Sequence, residues 1–454
     1  MNTFNINTIT IKNFHCYQNI MFTFAQKANV FIGKNGSGKS SMVKAIKNGL
    51  SIFFSNNTSW GKGSLVGSVS DLSTANLSPR EIWHDEKMKP AENVDIRIEA
   101  NFNGEVLPAW SFSKSSKDKS KLLTSLYQAA FVAFMDEYAK CDTLPLFAYY
   151  SDSFPHVGTD LGKTIKEMID KDDYLDRSWG YYHWDYDTSC AEIWQKRFIR
   201  IFKLHANYVQ MLNDEEDKES KYAKELETSI RRYADELNYV KNYLVEFSNG
   251  DFGTDQDGLQ IKNLIVDGID NPYIVAVFEN GKRRCWDELP AGYERMFNMV
   301  FDIACRSYIL NRGKQVACGL VIIDELDLHL HPSMEKTILQ RLKQTFPDIQ
   351  FIVTTHSPLV ITNFEQDADN KLFRLSFGED KTYGKEEIPN LYGLDYNSGL
   401  TEVMETSDGD QELIQIKKAY EYWKSKDRSK ADKIAEMIKA RYSKNVKFIE
   451  SLNL

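Results

Sequence analysis

The sequence lacks any apolar stretch that approaches the ~20 residues of a membrane-spanning helix. Cysteine is scarce as well, with 6 residues in 454 and neither a C-x-x-C pair nor a Cys/His cluster. Scattered single thiols argue against a disulfide framework and against a zinc site. The first residues alternate between polar and apolar as a strand does, which is unlike a signal sequence. These absences predict a cytoplasmic protein that makes no contact with a membrane.

Positive charge is not in excess either. Lys and Arg number 56 against 65 Asp and Glu, which gives a formal net charge of −9 at pH 7. This balance excludes a surface that is basic throughout. It is compatible with a local basic groove, so DNA or another nucleic acid stays open as a partner.

What the sequence does contain is a glycine-rich loop between a strand and a helix. Residues 33–40 read GKNGSGKS, directly after the apolar run VFI and directly before a helical pattern of apolar residues. This is the G-x-x-x-x-G-K-[ST] phosphate loop in its expected context. The glycines let backbone N–H groups face phosphate oxygens, Lys39 can reach the β- and γ-phosphates, and the Ser40 hydroxyl can bind Mg²⁺. The sequence therefore predicts a nucleoside triphosphate site.

Two adjacent acids follow a second apolar run. Residues 320–323 (LVII) are typical of a parallel strand that is buried on both faces, and Asp324 and Glu325 come directly after them. One carboxylate at such a strand end suits an Mg²⁺ ion that also binds phosphate oxygens. The second can orient or deprotonate an attacking water.

Three weaker signals accompany the loop and the acids. His356 ends the strand pattern FIVTTHSP, 31 residues (356 − 325) after Glu325, which leaves room for one helix between two parallel strands. LPAGYER at 289–295 opens a long helical pattern, and its glycine could present backbone N–H groups to an anion. An ordinary helix cap explains that segment equally well. Asp327 lies two residues after Glu325, in the turn that follows the predicted strand 320–323.

The order of these segments resembles the ABC-type ATPase heads of the SMC/RecF/OLD group, with their Walker A, signature, Walker B, D-loop and histidine-switch motifs. The phrases DELDLHLHPSM and TTHSPLV are similar to those of this group, and the resemblance covers roughly residues 1–50 and 271–406. It implies an α/β fold: an ABC-type P-loop NTPase head, with a mixed or parallel sheet and flanking helices, and a short helical lid insertion. It also implies ATP and Mg²⁺ as cofactors.

The resemblance assigns roles residue by residue. Glu325 would be the catalytic base and His356 the sensor of the γ-phosphate. Ser40 and Asp324 would hold Mg²⁺. The phosphate-binding residues would be Gly33, Lys34, Asn35, Gly36, Ser37, Gly38, Lys39, Ser40 and Ser41. The signature residues Ala291 and Gly292 would cap the nucleotide of a partner protomer, with Asp327 at the dimer interface.

The chain departs from the family pattern at two places. The signature has Pro290 where the group usually has serine, so a hydroxyl ligand for the γ-phosphate is missing. The strand pattern at 144–150 is not followed by the expected glutamine, and neither Asp152 nor Ser153 is assigned its role. Hydrolysis that is slow or depends on a partner is therefore expected. Phe14 and Tyr17 are candidates for stacking on adenine, although packing in the strand core is the favoured role for both.

The chain divides, on this basis, into an N-terminal lobe of the head (1–159), a helical lid or short coiled coil (160–249), a C-terminal lobe with signature, Walker B and histidine switch (250–410), and a helical tail (411–454). Apolar residues at three- and four-residue spacing predict the second lid helix over 221–247. The aromatic run WGYYHWDYD at 179–187 could be a recognition surface, but packing of a lid helix is the favoured role.

The resemblance leaves three functions open. The favoured one is the Septu-type ATPase, which regulates a separately encoded HNH-type nuclease in a bacterial anti-phage defence complex and forms head dimers within a higher homo-oligomer. The second is the ATPase of a PARIS-like system with a Toprim effector. The third is a RecF-type repair ATPase that acts as a DNA clamp without a nuclease. The tail is too short for the Toprim domain of OLD-type nucleases, and no H-N-H constellation is present, so any cleavage is expected from another polypeptide.

Overall fold

The computed structural model describes residues 4–56, 58–67, 69, 72–115, 122–154, 167, 169, 175–186, 191–249, 260–378, 382–393 and 411–441. The chain forms two compact units, residues 1–393 and 394–454. The LDYNSGLTEVM phrase at 394–404, which resembles the end of the ATPase head, lies outside the described residues.

The strands are β1 (Phe4–Phe14), β2 (Tyr17–Thr23), β3 (Ala28–Ile32), β4 (Asn93–Phe102), β5 (Glu105–Val106), β6 (Trp110–Ser115), β7 (Leu146–Tyr150), β8 (Ile261–Asp267), β9 (Tyr273–Phe278), β10 (Arg283–Cys285), β11 (Cys318–Ile323), β12 (Asp348–Thr354), β13 (Asn370–Phe377) and β14 (Tyr383–Glu387). The helices of the first unit are α1 (Lys39–Leu50), α2 (Gln128–Cys141), α3 (Ala191–Asp214), α4 (Lys221–Asn249), α5 (Ala291–Asn311), α6 (Pro332–Glu335), α7 (Ile338–Thr345) and α8 (Pro358–Thr362). Those of the second unit are α9 (Gln411–Lys426) and α10 (Arg428–Arg441).

The core of the first unit is a six-stranded sheet in the order β14–β13–β3–β12–β11–β7. The five strands from β13 to β7 are parallel, and β14 is antiparallel at one edge. Strands β3 and β11 are buried along their whole length, as expected for strands covered on both faces. The prediction of a mixed, mainly parallel sheet with flanking helices is confirmed.

A second, antiparallel sheet pairs β2–β1–β4–β5, with β6 also on β4. It packs against α1 and the core sheet through aromatic side chains. The Phe4 ring lies 5.9 Å from that of Phe53 and 5.1 Å from that of Phe147, both edge-to-face, a geometry that favours aromatic pairs. The helix after the phosphate loop is therefore held between the two sheets.

The helical insertion packs on α5 through its predicted apolar face. Leu226, Tyr233, Val240 and Leu244 of α4 are all buried. At the base of α3 the Trp194 indole donates to the carboxylate of Asp302 at 2.7 Å. The same buried carboxylate accepts from the Tyr150 hydroxyl at 2.7 Å and from Arg306 Nε at 2.7 Å. One side chain thus joins α3, α5 and β7.

The described part of the aromatic run, residues 179–186, is mostly buried and packs on the head. The ring centroid of Tyr181 lies 5.0 Å from that of Phe54, and the ring centroid of Trp184 lies 5.8 Å from that of Phe147. The Tyr149 N–H of β7 donates to the Trp184 carbonyl at 2.8 Å. The sequence favours packing of a lid helix by this run, but its described residues instead pack on β7 and on α5 of the head, where Arg306 donates to the carbonyls of Gly180 and Tyr182.

In the second unit, the described residues 411–441 form a helical hairpin with a small core of Tyr420, Ala431 and Ile438. Across the described residues of both units, no helix combines the length and apolarity needed to cross a membrane.

Candidate active site

The predicted site residues meet at one edge of the core sheet. The phosphate loop follows β3, Asp324 and Glu325 follow β11, and His356 follows β12 by one residue. Strand β12 lies between β3 and β11 and is parallel to both. Because the carboxyl ends of parallel strands share one edge, the three motifs are neighbours, and this edge is where open α/β sheets bind ligands.

The phosphate loop has the backbone of an anion cradle. Gly36 and Gly38 adopt φ values of +81° and +100°, which side chains other than glycine rarely accept. A methyl group built on Gly36 would meet no atom within 4 Å, so the loop is open above this residue. The Ser37 hydroxyl is buried and has no hydrogen-bond partner in the structure, as expected of a group that awaits a ligand oxygen.

Lys39 is folded back onto its own loop. Its ammonium donates to the carbonyls of Gly33 at 2.7 Å and Lys34 at 3.3 Å. Burial lowers the pKa of this ammonium, and the nearby carboxylates of Asp324, Glu325 and Asp327 oppose that shift. The lysine of the loop is therefore within electrostatic reach of the acids from β11.

Thr354, the last residue of β12, orients both acids. Its hydroxyl donates to the Asp324 carboxylate and accepts from the Glu325 N–H at 2.9 Å. The Asp324 N–H donates to the Tyr150 carbonyl at 2.8 Å, which ties the acids to β7 on their other side. Glu325 has a φ of +53°, a left-handed conformation that is uncommon outside glycine. Such strain persists only where neighbouring contacts enforce it, as the bond to Thr354 does here, and strained residues of this kind cluster in functional sites.

The site offers oxygen ligands that fit Mg²⁺. Ser40 is exposed at the start of α1 and supplies a hydroxyl, and the half-buried Asp324 supplies a carboxylate. A hydroxyl and a carboxylate are hard ligands, which Mg²⁺ combines with water and phosphate oxygens. When bound, the ion would neutralise charge that develops on the phosphates.

Asp327 fixes the histidine segment within the same protomer. Its carboxylate accepts from the Thr355 hydroxyl at 2.5 Å and from the His356 N–H at 3.1 Å. These bonds hold the backbone of the half-buried His356 beside the turn that carries Glu325. The predicted place of Asp327 at a dimer interface remains a proposal.

The two signature residues differ in their surroundings. Helix α5 begins after Pro290, and Ala291 is exposed, whereas Gly292 is buried. A Cβ on Gly292 would lie 2.9 Å from the His329 carbonyl and 3.3 Å from the Met334 sulfur. Glycine is therefore required at 292 by close packing within the protomer, and Ala291 is the residue that can face a second chain.

Neither the turn after β7 nor the strands β1 and β2 supplies a residue that could replace the missing glutamine or stack on the adenine. Asp152 is exposed and Ser153 half-buried in the turn after β7, where the Ser153 hydroxyl lies 3.3 Å from the Asp152 carboxylate. Phe14 and Tyr17 are 0% and 1% exposed, so neither ring offers a face to a base. The prediction that both pack in the strand core is confirmed.

Sequence reasoning missed Arg295, one turn into α5. Its guanidinium is 1% exposed and donates to the carbonyls of Glu325 at 3.2 Å, Asp324 at 3.3 Å and Ser151 at 3.4 Å, as well as to that of Phe154. Burial lowers the pKa of this group, and the carboxylates nearby offset part of that shift. One buried cation thus joins the signature helix, the acids and the turn after β7.

Arg295 is therefore a positioning residue. Replacing it by methionine should lower kcat roughly 100-fold with little change in ATP affinity, because small misplacements of catalytic groups cost about that much. Arg295→Lys should restore part of kcat, since lysine keeps the charge but not the planar fork of donors. Steady-state kinetics measure kcat, and nucleotide titration measures the affinity for ATP. A purely structural role would instead lower thermal stability and both parameters together, and exposed Arg283→Met should change nothing.

Comparison with known proteins relates the chain to ATPases. The AAA ATPase domain family matches residues 5–361. The Retron Vc95 probable ATPase of Vibrio cholerae is 24% identical over 452 residues, which cover 92% of this chain and 82% of the relative. The Septu protein PtuA of Bacillus mycoides is 31% identical over 169 residues, but these cover 36% of this chain and only 23% of that protein. The Septu protein PtuA of Bacillus thuringiensis is 36% identical over 124 residues, which cover 26% of this chain and 30% of that protein.

Solved structures with a similar overall arrangement include the SMC head domain from Thermotoga maritima, with 13% identity, a TM-score of 0.43, and 85% of this chain and 99% of that chain covered. The recombination mediator protein RecF has 15% identity, a TM-score of 0.38, and coverage of 85% and 98%. At TM-scores below 0.5 these likenesses assign no residue and no function. The family match extends over most of the chain and includes the phosphate loop, both acids and His356. The chain belongs to the AAA ATPase domain family and is an ATPase that resembles Septu PtuA.

Proposed function

We propose that this ATPase is the regulatory subunit of an anti-phage defence complex and controls a separately encoded HNH-type nuclease. The observation that carries the proposal is the arrangement at the carboxyl end of three neighbouring strands, where the phosphate loop follows β3, the acids Asp324 and Glu325 follow β11, and His356 follows β12. The similarity to a retron ATPase along nearly the whole chain, and to the Septu protein over shorter stretches, supports the defence setting.

The switch would consist of two heads that close on ATP. Helix α5 begins at Ala291, and the first N–H groups of a helix have no partner within it and attract anions. Exposed Ala291 could therefore bring this helix end to the nucleotide held by a partner protomer. ATP would stabilise the closed dimer, and a nuclease that binds one arrangement better than the other would read the change.

The hairpin of the second unit, residues 411–441, is a candidate for docking. Residues 411–441 contain nine Lys and Arg and five Asp and Glu, a net charge of +4 on a chain whose total is −9. Around the turn between α9 and α10 the ammonium groups of Lys426 and Lys430 lie 4.4 Å and 4.2 Å from the ring centroids of Tyr422 and Trp423. This hairpin would bind the nuclease within a higher oligomer, and ATP would keep the nuclease inactive until nucleotide loss or a phage signal releases it.

Co-expression with the neighbouring gene tests the proposal. We expect an HNH-type protein that co-elutes with this chain in a complex larger than a dimer, and DNA cleavage that is lower with ATP than without it. Reversing the charges of Lys424, Lys426 and Lys430 should weaken the complex without changing ATP binding, whereas the same change at Lys12 and Lys262 serves as the control. An ATPase that elutes alone, beside a neighbour with no nuclease motif, would contradict the proposal and favour the DNA-clamp function. A Toprim-type neighbour would favour the PARIS-like alternative.

A further inference from the structure

Strands β13 and β14 form one edge of the core sheet, and the end of β13 lies directly beside the phosphate loop. A Cβ built on Gly33 would lie 2.4 Å from the carbonyl oxygen of Leu375, so the loop and β13 are in close backbone contact. Two residues further along β13, Phe377 is 55% exposed, which is high for a phenylalanine. Its cross-strand partner on β14 is Tyr383, and the ring centroids of the two residues lie 4.8 Å apart.

Tyr383 is connected to the loop through Tyr17. The two tyrosine rings meet edge-to-face, with their centroids 5.8 Å apart. The Tyr17 hydroxyl in turn donates to the Gly38 carbonyl at 3.0 Å, and the sulfur of Cys16 would lie 3.1 Å from a Cβ on Gly38. The Cys16 thiol also interacts with the side chain of Ser41, a predicted phosphate-binding residue. The aromatic pair therefore lies on the side of the loop that contains Ser41.

When the phosphates of a nucleotide lie in this loop, the base is separated from them by only the ribose. Any surface on which the base stacks must therefore lie close to the loop. Phe14 and Tyr17 are buried and cannot provide it. Phe377 and the half-buried Tyr383 belong to the same region and have ring surface that solvent can reach. Aromatic rings bind bases by stacking, whatever the base, because every base has a π-face.

We propose that Phe377 and Tyr383 form the platform on which the nucleobase stacks when the phosphates occupy residues 33–41. The chemical class of the ligand is a nucleoside di- or triphosphate, and the proposal rests on nucleotide binding by the phosphate loop. A cross-strand aromatic pair also stabilises a hairpin by itself, so the test must separate the two effects.

The test compares ligands with and without a base. In the double variant Phe377→Leu/Tyr383→Leu, which keeps the apolar side chains but removes the rings, the Kd for ADP should rise roughly tenfold. The Kd for inorganic tripolyphosphate should stay the same, since this ligand has no base. Tyr383→Phe should keep ADP affinity, and Tyr392→Leu, at an aromatic residue that is 57% exposed elsewhere on the first unit, is the matched control. Isothermal titration in Mg²⁺ measures all four proteins.

Two results would overturn the platform. Unchanged ADP affinity in the double variant would show that the rings do not touch the base, and equal losses for ADP and tripolyphosphate would show that they only support the loop. Failure of the wild-type protein to bind either ligand has a different meaning, because it would remove the phosphate-loop assignment.

Discussion

Replacing Glu325 by glutamine should lower the rate of ATP hydrolysis by about 10²–10⁴-fold, the usual contribution of a general base. Glutamine has the same shape as glutamate but cannot accept the proton of the attacking water at neutral pH. The backbone of residue 325 is held by its N–H, which donates to Thr354 Oγ1, and by its carbonyl, which accepts from the Arg295 guanidinium; neither bond involves the carboxylate, so both would remain. ATP affinity should therefore be unchanged, and an ATP-bound dimer should accumulate.

Single-turnover hydrolysis, nucleotide titration and size-exclusion chromatography with ATP measure the three quantities on one preparation. Glu279→Gln is the matched control, because it neutralises an exposed carboxylate beyond β9. If Glu325→Gln hydrolysed ATP at the wild-type rate, Glu325 would not be the base. A loss of ATP binding would instead show that the carboxylate holds the nucleotide or its metal ion.

Replacing Lys39 by alanine should weaken ATP binding at least tenfold. The ammonium now bonds to the carbonyls of Gly33 and Lys34, and we expect it to exchange them for phosphate oxygens. Charged hydrogen bonds contribute roughly 1.5–3 kcal/mol each, and 1.4 kcal/mol is a factor of ten in affinity. Lys12→Ala removes the same charge from an exposed position on β1 and should leave the Kd unchanged. Wild-type affinity in Lys39→Ala would contradict the assignment of the phosphate loop.

Mixing Lys39→Ala with a variant of the signature tests whether two protomers share each nucleotide site. Ala291→Trp is suitable because Ala291 is exposed, whereas a bulky residue at Gly292 would clash with the His329 carbonyl of its own chain. In a head-to-tail dimer both lesions can fall in one site, which leaves the second site with an intact loop and an intact signature. Hydrolysis should therefore recover in part on mixing. No recovery would indicate that loop and signature act within one protomer.

The sequence predicts those parts of the molecule that local patterns determine. The strand before the phosphate loop, the strand that ends at Asp324 and the amphipathic helix α4 all occur where periodicity and composition place them. The sheet edge could be predicted too, because a helix-length spacing between parallel strands brings their carboxyl ends together.

What the sequence could not reveal depends on contacts between distant segments. Arg295 is one charged residue in a helical pattern, and only the packed fold directs it at main-chain carbonyls next to residues 151 and 325. The close approach of Gly292 to residue 329, and that of Gly33 in the phosphate loop to Leu375 of β13, likewise depend on the tertiary structure. The left-handed backbone of Glu325 has no sequence signal, because such strain is imposed by neighbours.

Tyr150 is bonded in two directions at once, through its hydroxyl to Asp302 and through its carbonyl to the N–H of Asp324. Pulling α3 away from α5 would remove the Trp194 hydrogen bond from one oxygen of the buried Asp302 carboxylate, and leaving a buried acceptor unpaired costs about 1–3 kcal/mol. Bending of α3 is therefore easier in its distal half, beyond Ile201, where more of the side chains are exposed. A force applied to that distal half would be passed through Asp302 and Tyr150 to the backbone of Asp324, the residue proposed to bind Mg²⁺.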